Sequence, residues 1–318
     1  MKALLYVGIA LLLLLIVVFL ISYFFFRYAA SGRRLDRERA IMKAKKSKIY
    51  SPYCDRIEEG IDWIIANTTE RVSITSYDNL KLSARRFVTK DNNKNVVIMF
   101  HGWTSIAFFD FSCIVGMYCE KGYDVILADQ RAHGDSEGKY TTFGVKERYD
   151  VLSWVNYAIS LYGEDVKIVI EGISMGASTV LMASGLELPP NVVGVIADCG
   201  FTSAAEEFTH VLVRDYHMKP FPFLYTANVV SRLLAGFGFW DVNAEDEVKK
   251  STLPLLLLHG EADDFVPADF SRRVYESSAS SDKRYIEVEG ARHGLSYFKE
   301  EERCKKALSD FFCTVFGE

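Results

Sequence analysis

Five short runs of Val, Ile and Leu recur through the chain: "VVIMF" (96–100), "DVILA" (124–128), "VKIVI" (166–170), "VVGVIA" (192–197) and "LPLLLLH" (253–259). Few polar residues interrupt them, so each reads as a strand buried on both faces. Amphipathic stretches near 108–120, 144–161, 175–186, 268–278 and 299–314 alternate with them at helical length. Buried strands alternating with helices imply a mostly parallel sheet covered on both faces. "RVSIT" and "LSARRFV", with Asp78-Asn79 between them, predict a hairpin ahead of this sheet, and "RYIEVE" (284–289) predicts its last strand. One interval breaks the rhythm. Residues 202–251, between "VIADCGF" and "LPLLLLH", are aromatic-rich and read as a helical insert, a lid over the carboxyl ends of the strands.

The amino terminus obeys a different constraint. Residues 3–26, "ALLYVGIALLLLLIVVFLISYFFF", hold no charged group. As a helix they rise about 36 Å, enough to cross a hydrocarbon core of about 30 Å. The run exceeds the roughly 7–15 apolar residues of a cleaved signal peptide, and Arg27 interrupts any approach to a cleavage site at "AAS". An uncleaved membrane anchor is therefore expected at 1–26, with basic linker helices at 27–69 and a catalytic domain at 70–318. Nine Lys or Arg (Arg27, Arg33, Arg34, Arg37, Arg39, Lys43, Lys45, Lys46, Lys48) stand against Asp36 and Glu38 just after the run. Positive flanks stay on the cytoplasmic side, which places the long carboxy-terminal part there. The same collar suits an anionic leaflet, or serves topology alone. Net charge is −5 even with this collar, so the globular part is more acidic still and nucleic acid is not the expected partner. The six cysteines form no C-x-x-C pair and no disulfide framework, consistent with buried thiols in a reducing compartment.

The chemistry centres on "EGISMGAS" at 171–178, where Ser174 stands between Gly172 and Gly176 directly after a buried strand. A serine on a tight strand-to-helix turn is exposed as a nucleophile, although a glycine-flanked turn can also be only a turn. A nucleophilic serine needs a base, a group to orient the base, and donors for an oxyanion. Of six histidines, His293 in "EGARHGLS" follows the last strand and fits the serine–acid–histidine order. The acid is expected from "LLLLHGEADDFVP", with Asp263 preferred to Asp264; Asp198, after an earlier strand, also lies within possible reach. Oxyanion donors are expected from the backbone N–H groups of Met175, at the helix start, and Trp103, in "HGWTS".

With these segments in hand, residues 70–318 resemble the α/β-hydrolase family, in particular its bacterial serine aminopeptidase-like esterase branch. The resemblance rests on "MFHGWTS", "LADQRAHGDSEG", "EGISMGAS", "ADCGFTS", "LLHGEADDFVP" and "GARHG". It implies a triad of Ser174, Asp263 and His293, an oxyanion hole from Trp103 and Met175, and no cofactor. One departure is Ala132, where relatives carry glycine.

Carboxylic ester or thioester hydrolysis of a small acyl substrate is the expected activity, because the insert is apolar and the anchor holds the site near acyl chains. Phe223 and Tyr225 are expected to bind that substrate. A chain starting near residue 50 is expected to stay soluble and active and to prefer medium or long acyl esters over acetate. A small-peptide serine peptidase, with Glu206 or Glu207 meeting a free amine, is the alternative. A non-catalytic binding module is a third reading, though no triad member is missing. No metal is expected, since neither H-E-x-x-H nor Cys/His ligand spacing occurs.

Overall fold

The protein is described by a computed structural model covering residues 1–32, 34–89 and 94–317. Arg33 of the basic collar lies outside the described residues. Eight strands form one sheet: β1 (Glu70–Thr75), β2 (Lys81–Phe87), β3 (Asn95–Phe100), β4 (Asp124–Ala128), β5 (Lys167–Ile173), β6 (Val192–Asp198), β7 (Leu255–Gly260) and β8 (Lys283–Val288). Their order across the sheet is β1-β2-β4-β3-β5-β6-β7-β8. β2 pairs antiparallel with β1 and with β4, and the other pairs are parallel. β1 and β2 form the expected hairpin, with Asn79 at φ 65° in its turn.

The unbroken hydrophobicity of the central strands follows from burial on both sides. In β3, Val96, Ile98 and Phe100 enter one core cluster while Val97 and Met99 enter the other. Val125 and Leu127 of β4 face the second cluster and Ile126 the first. This is the period-two alternation of a strand with two dry faces.

Thirteen α-helices are described. The first three precede the sheet: α1 (Lys2–Ala30), α2 (Arg37–Lys46) and α3 (Cys54–Asn67). The stretch expected as one helix near 108–120 is two short turns, α4 (Ala107–Asp110) and α5 (Val115–Glu120). The break follows Asp110, whose carboxylate folds back onto the loop after β3. α6 (Glu147–Tyr162) and α7 (Met175–Ser184) cover the sheet, and the insert comprises α8 (Ala204–Tyr216), α9 (Phe223–Ala235) and α10 (Ala244–Val248). α11 (Ala268–Ser277), α12 (Ser296–Lys299) and α13 (Glu301–Phe312) complete the chain.

α1 is long and apolar enough to cross a membrane. Its second half is built into the domain. Ser22, Phe26 and Ala30 are buried at a spacing of four, the interval that keeps side chains on one helix face. Its last carbonyls, which have no intrahelical donors, are taken by the domain: Thr141 N–H donates to Ala30 O at 2.9 Å, and Trp103 Nε1 to Ala29 O at 2.7 Å. The collar is likewise engaged. Arg37 pairs with Asp62 and Glu58, Lys45 with Glu58, and Lys43 Nζ donates to Thr104 O at 3.0 Å.

Candidate active site

β5 ends at Ile173 and α7 begins at Met175, which leaves Ser174 alone at the corner with φ 55° and ψ −118°. A non-glycine residue held there costs about 1–3 kcal/mol, tolerated only where its surroundings enforce it. The flanking glycines supply that enforcement by close approach. A Cβ on Gly176 would lie 1.8 Å from the Phe100 carbonyl oxygen, and one on Gly172 would lie 2.2 Å from the backbone of Gly176. The Ser174 N–H donates to Asp198 O at 2.8 Å, fixing the corner to the end of β6.

His293 Nε2 lies 2.9 Å from Ser174 Oγ, and its Nδ1 lies 2.7 Å from Asp263 Oδ2. Asp263 is buried in the loop after β7, and its Oδ1 accepts the N–H groups of Phe265 and Val266 at 2.9 Å each. Burial alone would raise its carboxyl. The His293 charge and hydrogen bonds from His259 and His293 outweigh that and hold it well below the usual carboxylate range. Asp264 points to solvent and pairs with Arg292 at 2.6 Å. Asp198 receives the Ser296 hydroxyl at 2.9 Å, so it braces the corner.

The remaining histidines have other partners. His101 Nδ1 is 2.8 Å from Gly102 O while its Nε2 accepts from Gln130 N–H at 3.0 Å, and burial pushes the ring down to about 4, so it stays neutral. His259, besides touching Asp263 Oδ2 with Nε2 at 3.3 Å, bonds Ser271 Oγ and Val266 O, and His133 bonds Arg131 O.

Met175 N–H is the first of α7 and has no acceptor in a preceding turn. The other expected donor, Trp103, sits in a loop pressed onto Ser174: a Cβ on Gly102 would lie 3.1 Å from Ser174 Cβ. Asp110, a residue that no motif singles out, shapes that loop. Its Oδ2 accepts Gly102 N–H at 2.6 Å and its Oδ1 accepts Ser105 Oγ at 2.5 Å. Ala132 adopts φ 63°, the left-handed region where glycine is unstrained, which accounts for the glycine expected at that position.

Ser174 opens into a cavity of about 950 Å³, part of it continuous with solvent. The walls are almost wholly apolar and come from α1, α8, α9 and the loops carrying Trp103 and Phe265. Phe223 lines this cavity. Tyr225 does not: it is exposed on the outer side of α9 against Phe221 and Trp240. Residues two apart on a helix point in different directions, so the two could not share one wall. Glu207 lines the cavity with both carboxylate oxygens buried and without a hydrogen-bond partner. Burial pushes its carboxyl well up. Ser22, Phe25, Phe26 and Ala29 of α1 also line the cavity, so a chain starting near residue 50 would lack this part of the wall. Apolarity on every face of the run concealed the face that is buried.

Among the described residues, Cys199, Asp263 and His293 form a grouping with metal-ligand chemistry, their donor atoms within 4.8 Å of one another. Both ring nitrogens of His293 are already engaged by Asp263 and Ser174, and burial pushes the Cys199 thiol well up, so this grouping reads as part of the hydrogen-bonded site.

The family described as alpha/beta hydrolase fold matches residues 95–218, and that described as serine aminopeptidase S33 matches residues 222–300. The chain has the α/β-hydrolase fold. As an α/β-hydrolase it is an enzyme of the serine-hydrolase type. It is 28% identical over 224 residues to the uncharacterized protein YqkD of Bacillus subtilis, spanning 70% of this chain and 73% of that one. It is 30% identical over 172 residues to a lysophosphatidylserine lipase of Macaca fascicularis, but that match covers 50% of this chain and only 38% of the lipase. A solved esterase of Pyrococcus furiosus superposes with a TM-score of 0.62 at 23% identity, covering 78% of this α/β-hydrolase and 91% of the esterase; the likeness is one of fold.

Proposed function

We propose that this α/β-hydrolase is a membrane-anchored enzyme that cleaves carboxylic ester or thioester bonds through an acyl-enzyme on Ser174. One observation carries the reading: the hydrogen-bonded series Ser174–His293–Asp263 opens into an apolar cavity. His293 Nε2 takes the Ser174 proton as Oγ attacks the acyl carbonyl. The backbone N–H groups of Met175 and Trp103 receive the developing oxyanion. Asp263, ionised and hydrogen-bonded to Nδ1, fixes the tautomer and stabilises the imidazolium. The departing alcohol or thiol takes the proton from Nε2, and water activated by the same nitrogen releases the acid. Phe223 and the other aromatic walls hold the acyl chain. The basic collar after residue 26 supports a cytoplasmic catalytic domain.

Glu207 favours a second reading, since a carboxyl inside the site could meet the free amine of a small peptide. Burial, which disfavours its charged form, argues for a hydroxyl or carbonyl partner instead, and Glu206 is engaged by Arg273. The full chain in detergent, offered acetate, octanoate and palmitate esters beside aminoacyl amides, separates the two. The ester reading requires kcat/KM to rise from acetate to octanoate, each buried methylene contributing up to about 0.8 kcal/mol. Preference for the amides would move the function to peptidase.

A further inference from the structure

The cavity at Ser174 has a wall that a separate anchor would not provide. Ser22, Phe25, Phe26 and Ala29 of α1 line it on one side, facing Phe208 and Leu212 of α8. These contacts are secured rather than incidental. Ser22 Oγ donates to Phe223 O at 3.1 Å, the Phe25 and Tyr216 rings meet edge-on at 4.8 Å, and Trp103 Nε1 holds Ala29 O. From Leu4 to Val17, by contrast, α1 is exposed on every side. A membrane span needs about 20 apolar residues, so one that begins at Ala3 ends near Ser22, where the cavity wall begins.

A second surface meets that level. Phe221, Tyr225, Val229 and Leu233 follow one another at intervals of four and are 74%, 54%, 52% and 74% exposed. Tyr225, Val229 and Leu233 form an outward stripe along α9, which Phe221 extends just before its first turn, with the Trp240 ring 5.2 Å from that of Tyr225. Contiguous exposed apolar surface of this kind marks a contact site. The stripe belongs to the helix whose first turn is bonded to α1 at Ser22, so it continues the apolar exterior of the span. Lipid is the occupant that this continuity selects, since an interfacial helix buries its apolar face in the headgroup boundary.

We propose that α1 is both anchor and substrate wall, and that α1 and the α9 stripe hold the cavity mouth against the bilayer, so that the substrate is a long-chain acyl ester taken from the membrane. This rests on Ser174 being the nucleophile of an ester hydrolase. The chain length of the site is then set partly by the membrane helix, and access depends on the seating of the insert rather than on diffusion through water.

The test uses the full chain reconstituted in phosphatidylcholine vesicles, with two substrates: a water-soluble butyrate ester and a palmitoyl ester embedded in the bilayer. Val229→Glu/Leu233→Glu alters the stripe without touching the cavity. Its turnover of the soluble ester is expected to match the wild type, while hydrolysis of the embedded ester falls by at least about tenfold, the equivalent of about 1.4 kcal/mol. Ala29→Leu, which narrows the wall, is expected to lower the palmitoyl-to-butyrate rate ratio by about tenfold. Equal embedded-ester rates for wild type and stripe variant would overturn the seating. An unchanged chain-length profile in Ala29→Leu would overturn the wall. If the stripe instead joins two copies of this chain, the double variant sediments as a smaller particle in detergent, and lipid is the wrong occupant. A wild type inactive on the soluble ester as well would remove the Ser174 reading and this proposal with it.

Discussion

The indole Nε1 of Trp103 donates to the carbonyl oxygen of Ala29 at 2.7 Å. One partner belongs to the loop expected to supply an oxyanion donor, the other to the last turn of the apolar helix. The loop beside Ser174 and the end of the apolar helix are therefore mechanically joined.

Trp103→Phe keeps an aromatic ring but leaves the Ala29 carbonyl without its indole donor. The loss of a part-buried hydrogen bond is expected to destabilise by about 1–3 kcal/mol, which lowers the melting midpoint by about 2–4 °C per kcal/mol in a domain of this size. The kcat should fall by a similar factor for short and long esters, because the loop positions the reacting carbonyl rather than the chain. Thermal unfolding in detergent micelles and an ester series check both.

Asp263→Asn should reduce kcat by about 10⁴, since the amide fixes the wrong His293 tautomer. Asp264→Asn should leave it within about twofold, because its carboxylate pairs with Arg292 at the surface. A large loss in Asp264→Asn or Asp198→Asn alone would identify a different orienting acid.

Much of this site is legible in the sequence because its residues stand at strand ends. Backbone position there brings the three side chains together: Ser174 after β5, Asp263 after β7 and His293 after β8 each follow a recognisable apolar run. Asp110 is not legible, because it acts across a turn eight residues from Gly102 and no spacing rule marks it. The buried half of α1 is hidden for a different reason. In a run apolar on all faces, hydrophobic periodicity cannot show which side meets protein; Ser22, buried and bonded to Phe223 O, is the one polar cue. Tyr225 shows the converse limit. Composition marks the insert as aromatic, but only helix phase separates Phe223, which faces the cavity, from Tyr225, which faces out.

Glu171, next to the nucleophile corner, accepts the Tyr118 hydroxyl at 2.9 Å, and burial pushes its carboxyl up to about 8 from an ordinary 4.5. Between those values the unfolded chain has lost a proton that the folded chain keeps. Rising pH across that window therefore works against the fold. Stability should fall from about pH 4.5 to about pH 8 and level off above, with Glu171 contributing up to a few kcal/mol of the change. Glu171→Gln has no proton to lose. Its unfolding midpoint should exceed that of the wild type most at about pH 9, and the advantage should shrink towards about pH 4. A gap that is constant with pH would place the strain elsewhere.

The central claim is that Ser174 is the nucleophile, and covalent trapping tests it most directly. The full-length protein, treated with a fluorophosphonate and weighed intact, should gain one phosphonyl group, with peptide mapping placing it on the segment containing Ser174. Ser174→Ala should remain folded, gain no label and lose about 10⁴–10⁶ in kcat. Equal labelling of the wild type and Ser174→Ala, or full ester turnover in that variant, would contradict the account.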